Sequence, residues 1–383
     1  MNIVHVFPIF SISKGGGTTW LICELAKYQS KKNKVTILTG SSNIDYKLIQ
    51  EVEKYGVKVV VYKSYLNRIG LYFMPGLLLD NSVFNDNQIF HLHLYRSFQN
   101  LIVILKAKIF KISCILDAHG SIPTHNIKSF KKKFYDFLFK KFTVNNIRFF
   151  IAENHLSYNE CASLGVPKKK IKIINPPFPV DEYDNVQNLG LLKSFYKIKE
   201  EHIILYFGRF HFIKGIDFLI KSFFELRKKR KDIHLVLMGR DDGFEKELNK
   251  LISDLNLNKY VTNVGFKIGK EKNSVIKESN ICVQVSRYEQ GAGAPFEAVL
   301  IGTPIILSDH SGSAEDAKRY DAGYFSKFND KIDLSNKMNF ILQNPEEAML
   351  KTKNASQKIK LNLGIEVVIK NYQKIYFESN VKK

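Results

Sequence analysis

Paired cysteines, long apolar runs and an excess of acidic residues are all missing from this 383-residue chain. The four cysteines are scattered and form no Cys-x-x-Cys pair, which argues against a disulfide framework or a structural zinc and fits a reducing compartment. No apolar run approaches the length needed to span a bilayer, and the chain opens directly on the strand-like run MNIVHVFPIF, so we expect no cleaved signal. A cytoplasmic protein is predicted.

Two common nucleotide-binding motifs are absent as well. The glycine-rich stretch SKGGGTTW (13–20) has Trp20 where a dinucleotide-binding fingerprint places its third glycine, and no acid follows the second predicted strand. It does not end in Gly-Lys-Ser/Thr, so it is not a P-loop. Two interpretations remain: an anion-friendly loop that opens a helix at Thr18 or Thr19, or a plain tight turn.

Basic residues are abundant. The 58 lysines and arginines outnumber the 37 acids and give a formal charge of +21. Such a surplus attracts polyanions, and composition alone leaves nucleic acid, an anionic membrane and a phosphorylated substrate all open. A hydrophobic content of 45% with 29 phenylalanines is enough to fill two cores, which fits the length of the chain.

Short β-rich runs alternate with helical patterns, which predicts parallel strands joined by crossover helices. In the first half the runs are NIVHVF (2–7), VTILTG (35–40), VKVVVY (57–62), IFHLHL (89–94), CILDAH (114–119), FFIAE (149–153) and KIKII (170–174). In the second half they are HIILYFG (202–208), HLVLMG (234–239), YVTNVGF (260–266), ICVQVS (281–286) and PIILSD (304–309).

The predicted class is therefore α/β, with two doubly wound parallel-sheet domains facing one cleft. The proline-rich stretch NPPFPVDEY (175–183) interrupts the pattern and reads as a linker. We place the first domain at 1–178, completed by a C-terminal helix at 364–380, and the second at 179–363. The tail from Pro345 has no strand pattern and is predicted to be helical.

Ligands of open parallel sheets bind beyond the carboxyl ends of the strands, so candidate residues are sought there. YFGRFHFIKG (206–215) places Arg209 and Lys214 at the mouth of a helix. Two cations there oppose the helix dipole unless an anion lies between them, and a diphosphate suits a forked guanidinium and a point-charge ammonium. The alternative is a pair of solvated loop cations.

A second candidate is EQGAGAPFE (289–297), a strand-to-helix turn with Pro295 near the first helical position and Glu297 in the first turn. A run of three small residues leaves backbone N–H groups uncovered beside the positive end of a helix dipole, which favours an anion site. These residues are Gly291, Ala292 and Gly293. A plain glycine-rich turn with a favourable first-turn glutamate is the alternative.

Histidines occur at two strand ends of the first domain. His119 follows the strand CILDA and is predicted to face the cleft. His91 and His93 bracket another strand end, and for these a structural role is favoured.

Together these residues resemble the retaining glycosyltransferases of family 4, whose GT-B fold has two Rossmann-like domains around a central cleft. The resemblance covers nearly the whole chain. It is carried by the glycines at 15–17, DAHG (117–120), FGR and KG within 207–215, the two glutamates of EQGAGAPFEA (289–298) and GTPII (302–306).

The resemblance implies a metal-independent hexosyltransferase whose donor is a UDP- or GDP-linked sugar, with no other cofactor. Arg209, Lys214, Glu289 and His119 would form its catalytic set, the cations holding the diphosphate, Glu289 the sugar, and His119 contacting the sugar near the reacting centre. Donor contacts would come, by the same resemblance, from the ribose-binding Glu297, the phosphate-facing backbones of Gly16, Gly17, Gly291, Ala292 and Gly293, and the base-facing backbone of Phe266 and Lys267.

The chain departs from the family in two places. Gly291-Ala292 stands where the family usually has Phe-Gly, so the sugar cannot be inferred from other members. GRDDG (239–243) replaces a Gly-x-Gly that many members carry, and we interpret Asp241 and Asp242 as a solvated helix start.

Two other functions are weighed against a transferase. A GT-B nucleotide-sugar epimerase would need carboxylates and histidines suited to eliminating and re-adding the nucleotide. A basic nucleic-acid-binding protein would explain the charge, but no recognised motif is present and the two glutamates would repel phosphates, so no nucleic-acid partner is expected.

The segment FKKKFYDFLFKKF (130–142) predicts attachment to an anionic membrane at its inner face, with a lipid-linked or cell-envelope glycan as acceptor. As a helix it gathers Phe130, Phe134, Phe137, Leu138 and Phe142 on one face, with Lys131, Lys132, Lys133, Lys140 and Lys141 around the rest. In the alternative interpretation, the aromatic face is simply core.

Overall fold

The two halves of the chain fold as separate compact units. The first consists of Met1–Phe178 with Ile365–Lys383, and the second of Pro179–Gly364. The computed structural model describes residues 1–42, 44–65, 72–84, 88–123, 129–289, 291 and 293–380.

The first unit is built on a parallel sheet with the strand order β3-β2-β1-β4-β5-β6-β7. Its strands are β1 (Asn2–Val6), β2 (Lys34–Gly40), β3 (Lys58–Tyr62), β4 (Gln88–His93), β5 (Ser113–Asp117), β6 (Phe149–Ala152) and β7 (Ile171–Ile173). Its helices are α1 (Ile12–Ser30), α2 (Tyr46–Glu53), α3 (Gly76–Leu79), α4 (Phe98–Ile109), α5 (Ser129–Asn146), α6 (His155–Ser163) and the C-terminal α15 (Ile365–Asn380).

The second unit repeats this plan with the strand order β10-β9-β8-β11-β12-β13. Its strands are β8 (His202–Phe207), β9 (Ile233–Met238), β10 (Val261–Gly265), β11 (Ile281–Gln284), β12 (Ile305–Ser308) and β13 (Tyr324–Ser326). Its helices are α7 (Leu191–Ser194), α8 (Ile216–Lys229), α9 (Glu245–Asp254), α10 (Gly269–Lys277), α11 (Gly293–Ile301), α12 (Gly312–Tyr320), α13 (Lys331–Gln343) and α14 (Pro345–Leu363).

Apolar strands explain this layering. Every residue of β9 is buried, as expected when helices cover both faces of a parallel sheet. In the first unit one face packs under α15, whose Tyr372 and Tyr376 are fully buried against strand residues such as Ile3 and Ile89. The tail from Pro345 is helical, as predicted.

The predicted class, two Rossmann-like parallel-sheet domains, is confirmed. Each predicted run contains a strand, within one or two residues at its ends. The sequence pattern missed β13, because three residues, two of them only partly buried, leave no apolar run to detect. In the part of the chain that the structure describes, no helix is both long and apolar enough to cross a membrane.

Candidate functional site

Arg209 leaves the carboxyl end of β8 next to Gly208, whose φ of 146° suits a residue without a Cβ. Its Nη1 lies 2.5 Å from Oδ2 of Asp242, and both side chains are largely exposed. Asp242 is exposed and precedes α9, as interpreted, and it also pairs with Arg209, which the sequence analysis did not predict. Asp241 does cap α9, because its carboxylate accepts hydrogen bonds from the backbone N–H groups of Gly243, Phe244 and Glu245. These bonds, with that from Phe244 as the largest contribution, lower the pKa of Asp241.

Lys214 ends a short 3-10 turn in front of α8, and its ammonium donates to the carboxylate of Glu289. Both side chains are partly covered. Gly215, which follows, has a φ of 68°, and a Cβ there would lie 2.0 Å from the Val285 carbonyl oxygen. Only glycine lets the turn press against the end of β11, which is what brings Lys214 and Glu289 together.

Glu297 is the fifth residue of α11, because the helix begins at Gly293, two residues before Pro295. The expectation that Glu297 lies in the first turn is therefore wrong. Its Oε2 lies 2.6 Å from Nζ of Lys272 on α10. Lys272 was not among the predicted residues, since nothing in the sequence near it marks a ligand site.

The turn before α11 is bonded to the start of α12. The backbone N–H of Gly312 donates to the Glu289 carbonyl at 2.8 Å, and the Ser313 hydroxyl donates to the Gly291 carbonyl. A Cβ at Gly293 would meet nothing within 4 Å, so a ligand can approach this backbone. The predicted residue Ala292 lies outside the described residues.

Phe266 and Lys267 follow β10, which ends at Gly265, one residue before the end of the predicted run. The Phe266 side chain is exposed, and Lys267 pairs with Glu271 at 3.1 Å. An exposed aromatic ring beside open backbone is compatible with a stacked base, but the role itself stays a prediction.

Arg287 and Asp217 form a further charged pair, which the sequence analysis missed. Arg287 follows β11 and makes two 2.8 Å hydrogen bonds to the carboxylate of Asp217. Burial alone would raise the pKa of Asp217, but the Arg287 fork outweighs it and lowers the pKa. The position of Arg287 at a strand end was the signal available in the sequence.

The glycine stretch of the first unit differs from expectation. The helix α1 begins at Ile12, not at Thr18 or Thr19, and is broken at Gly16, which has φ 59° and ψ −141°. Cβ atoms at Gly16 and Gly17 would meet nothing within 4 Å. The stretch is therefore a kink in a helix with an open backbone face.

His119 lies just beyond β5 with a φ of 43°, rare for a residue with a side chain. Its side chain is only 3% exposed. Nδ1 lies 2.8 Å from Oε1 of Glu153 and 3.3 Å from Oδ1 of Asp117, and Nε2 lies 2.8 Å from Nδ1 of His93. Both ring nitrogens are in use, so a nitrogen contact to a sugar would replace one of these bonds.

Two carboxylates next to His119 determine the direction of its pKa shift. Burial alone would lower the pKa of His119, but the Asp117 and Glu153 carboxylates outweigh it and raise the pKa. Burial raises the pKa of Asp117 to about 6. The Asp117 carboxylate also accepts a 3.1 Å bond from the Tyr372 hydroxyl.

His91 and His93 are fully buried, together with His5 on β1. The sequence analysis set His93 apart from the site, but its bond to His119 joins it to the same cluster. Donor atoms of His5, His91 and His93 lie within 4.8 Å of one another, as do those of Asp117, His119 and Glu153. Hydrogen bonds within the cluster already use most of these atoms, so we assign no metal ligand.

Two Rossmann-like units with cations, carboxylates and open glycine backbone at their strand ends define the class of protein as a glycosyltransferase of the GT-B fold. A family model for "Glycosyltransferase Family 4" matches residues 15–182, and one for "Glycosyl transferases group 1" matches residues 192–358. The chain belongs to glycosyltransferase family 4.

Individual relatives agree with this assignment. An uncharacterized glycosyltransferase of Methanocaldococcus jannaschii is 24% identical over 400 residues, covering 97% of both chains. A "41.2 kDa protein in cps region" of Klebsiella pneumoniae is 23% identical, with 81% of each chain covered. The comparisons support neither the epimerase nor the nucleic-acid-binding alternative.

Solved structures share the fold. Anabaena Alr3699/HepE in complex with UDP-glucose superposes with a TM-score of 0.80 at 16% identity, covering 99% of this chain and 100% of the other. The lipopolysaccharide outer core galactosyltransferase WaaB gives a TM-score of 0.70 at 15% identity, with 99% of each chain covered.

Proposed function

We propose that the protein transfers a hexose, with retention and without a divalent metal, from a nucleotide-diphosphate sugar to a hydroxyl of a lipid-linked or cell-envelope glycan. The observation that carries this proposal is the pairing of Lys214 with Glu289 at the end of the second sheet. The oxygens of a diphosphate accept hydrogen bonds, and the hydroxyls of a sugar donate them. The two halves of this ion pair are therefore complementary to the two halves of such a donor.

The neighbouring pairs extend this complementarity. Arg209, held by Asp242, can turn to a phosphate, because it is half exposed. Glu297, held by Lys272, can accept ribose hydroxyls. Binding thus exchanges one set of charge-assisted hydrogen bonds for another, at little cost in unpaired charge.

Negative charge grows on the leaving diphosphate during transfer, and fixed cations and amides stabilise it. Retention follows when the acceptor hydroxyl attacks the face that the diphosphate leaves, and the departing phosphate can take the proton. No covalent nucleophile is required, and no cofactor beyond the donor. A UDP-linked sugar is the first donor to test, because the Anabaena structure was solved with UDP-glucose.

Thermal shifts with UDP, GDP and ADP, and with their sugars, test the donor site. A ligand at a hundred times its dissociation constant adds about 2.7 kcal/mol of stability, so a clear rise is expected with one base. Lys214→Ala should lose the rise, whereas Lys246→Ala, on the exposed face of α9, should keep it. No shift with any nucleotide would contradict the proposal.

Metal dependence and stereochemistry need separate assays. Transfer should continue after dialysis against EDTA, and the new glycosidic bond, examined by proton NMR, should have the anomeric configuration of the donor. Activity that is abolished by EDTA and restored by manganese would contradict the metal-independent mechanism. A product with the opposite anomeric configuration to the donor would contradict retention.

The membrane part of the proposal rests on α5. Phe130 is 81% exposed and Phe137 85%, and Phe134 and Leu138 are exposed as well, so these side chains are not core. Phe142, by contrast, packs against the core, and Lys132 bonds to the Pro123 carbonyl. The attracting charges are therefore the four exposed lysines of this helix: Lys131, Lys133, Lys140 and Lys141. A basic, aromatic surface of this kind fits an anionic bilayer.

A groove of about 620 Å³ runs beside this surface, and its charged and aromatic lining consists of four cations, two carboxylates and one phenylalanine: Arg96, Lys133, Lys140, Lys141, Asp136, Glu160 and Phe137. Cations next to an aromatic side chain suit an acceptor with a phosphate and a lipid chain. Relatives named for the lipopolysaccharide outer core and for a cps region support an envelope acceptor. The enzyme would then work at the inner face of the membrane.

Sedimentation with liposomes containing anionic lipid tests this surface. Binding should fall as salt rises, and should be largely lost when the four exposed lysines become Gln, at about 1 kcal/mol for each cation. The matched control replaces four exposed lysines of the second unit: Lys246, Lys250, Lys353 and Lys358. Equal loss in both variants would show a non-specific charge effect, and no binding by the unmodified protein would favour a soluble acceptor.

A further inference from the structure

A continuous chain of hydrogen bonds runs from the candidate site into the interior of the first unit. It starts at Glu153, passes through His119 and His93 and reaches His5, with successive separations of 2.8, 2.8 and 2.9 Å. His5 Nε2 then lies 2.7 Å from Oε1 of Gln29 on α1.

The chain continues beyond Gln29 to α15. The Gln29 amide lies 3.1 Å from the hydroxyl of Tyr376, which in turn lies 2.9 Å from Nδ1 of His91. His91 Nε2 is buried and has no hydrogen-bond partner among the described residues. The chain therefore ends there.

Imidazole chemistry leaves this chain only two self-consistent arrangements. A neutral imidazole has one donor and one acceptor nitrogen, so the direction of one bond fixes the direction of the next. If His119 carries two protons, His93 and His5 must both be Nε2–H tautomers, and Gln29 presents its oxygen to His5. If His119 carries one proton, on Nδ1, then His93 and His5 are Nδ1–H tautomers and Gln29 presents its amino group.

The doubly protonated arrangement contains one proton more than the other, and His119 carries it. Each of the other imidazoles keeps one proton, which changes from Nδ1 to Nε2, and the Gln29 amide turns over. Tyr376 reverses its hydroxyl, so His91 changes tautomer as well. In the structure the Gln29 oxygen lies toward His5 and its amino group toward Tyr376, which is the arrangement for a doubly protonated His119.

The surroundings locate the added charge at His119. Asp117 on β5, Glu153 after β6 and His93 on β4 contact His119 directly. The other titratable groups of the cluster are His5 on β1, His91 on β4, Cys161 on α6, and Tyr372 and Tyr376 on α15. Only the two carboxylates attract a proton to the cluster. Burial lowers the pKa of His91 and His93, and that of His5 to about 4, so these three remain neutral.

We propose that His5, His93 and Gln29 are positioning residues of the candidate site, which hold His119 through a relay whose hydrogen-bond direction reverses when His119 gains a proton. Both ring nitrogens of His119 stay bonded in either arrangement, so its charge changes while its orientation does not. The proposal rests on the proposed function only in treating His119 as a residue that takes part in transfer, as the family resemblance implies.

Nitrogen-15 NMR of the histidine-labelled, unmodified protein tests the relay without substrate. As pH falls, His119 should become doubly protonated, and His93 and His5 should change from Nδ1–H to Nε2–H with the same midpoint. Fixed tautomers at His5 and His93 through the His119 titration would overturn the proposal, as would a stoichiometric bound metal that replaces their N–H signals.

A variant at the far end of the relay gives a second readout. Gln29→Met leaves His5 Nε2 without a strong partner, and an unpaired buried N–H costs more than an unpaired lone pair. The midpoint of His119 should therefore fall by about 0.5–1 pH unit, seen both by NMR and in the pH profile of transfer. An unchanged midpoint would remove Gln29 from the relay. Loss of transferase activity alone leaves the NMR result intact, so the two proposals can fail separately.

Discussion

The two units hold the charges of their candidate sites in different ways. Around His119 in the first unit, the imidazole is 3% exposed and Asp117 1%, and a chain of hydrogen bonds fixes them. In the second unit Arg209 is 51% exposed and Lys214 17%, and each has one carboxylate partner. The first arrangement is costly to disturb and keeps a fixed geometry. The second can exchange its partners for a ligand.

The largest expected effect is on the free energy of unfolding of the first unit. His119→Ala leaves Asp117 and Glu153 facing each other without a cation, and should lower the free energy of unfolding of the first unit by about 3–5 kcal/mol. Arg209→Ala should change stability by less than about 1 kcal/mol, because its ion pair is exposed. Urea unfolding followed by the fluorescence of Trp20, the single tryptophan, reports on the first unit, and hydrogen exchange of α8 peptides in urea reports on the second. His310→Ala is the histidine control, and similar losses in all three variants would erase the contrast.

The second prediction concerns turnover. Lys214→Ala and Arg209→Ala should each cost about 2–4 kcal/mol of transition-state stabilisation, seen as a fall of kcat by about 10²–10³. Lys246→Ala should leave kcat unchanged. An unaltered kcat in Arg209→Ala would take that residue out of the site, and would make the second unit's exposed charges ordinary surface charges.

Glycine substitutions sharpen the same contrast in the backbone. Gly16→Ala forces an alanine into a backbone region close to glycine-only and should cost about 1–3 kcal/mol, although there is room for the methyl group. Gly17→Ala and Gly293→Ala have neither positive φ nor a clash, so their stability should stay the same or rise. Thermal unfolding checks this order, and a harmless Gly16→Ala would show that the kink is not required.

The smallest effect is a difference in pH response. The raised pKa of His119 contributes stability that is present below about 6.5 and lost as pH rises through the folded value. The raised pKa of Asp117 acts in the same direction at lower pH, where its contribution is lost between about 4 and about 6. Asp217 has a lowered pKa, so its contribution is present above about 4 and lost as pH falls.

His5, His91 and His93 act in the opposite direction, because they stay neutral in the fold and become charged on unfolding below about pH 6.5, so their contribution rises until about pH 7.5. Above about pH 7.5, where these three no longer change charge, the first unit should lose up to about 1.4 kcal/mol per pH unit as His119 releases its proton, while the second changes little. Trp20 fluorescence in urea and hydrogen exchange of α8 peptides follow the two units separately. A first unit that becomes more stable over this range would reverse the assignment of its charges.

Sequence periodicity predicted the sheets well, because parallel strands must be apolar on both faces and stand out from helices. It also placed Arg209 and Glu289 beyond strand ends and Lys214 just before a helix, as the structure has them, and their part in a ligand site stays a prediction. What it missed are partners distant in sequence. Lys272, Asp242 and Gln29 carry no local signal, and only the folded chain shows which side chain each one meets.

Helix starts were the other weak point. The pattern placed the first helix at Thr18 or Thr19, but helical geometry begins at Ile12 and tolerates one non-helical glycine. Local propensity treats glycines as a boundary, whereas packing of Leu21 and Ile22 into the core decides where the helix lies.

Because the first unit is completed by α15, its two parts are separated along the chain by about 190 residues of the second unit. At a synthesis rate of about 5–20 residues per second, the ribosome needs about 10–40 s to make that insert. During this time Tyr372 and Tyr376 do not yet exist, and the part of the sheet face that they cover, beside His91 and Asp117, stays exposed, although α1 and α2 already pack on the rest of that face. The second unit can fold first on the ribosome, and the nascent first unit is a natural client for a chaperone until the last helix emerges.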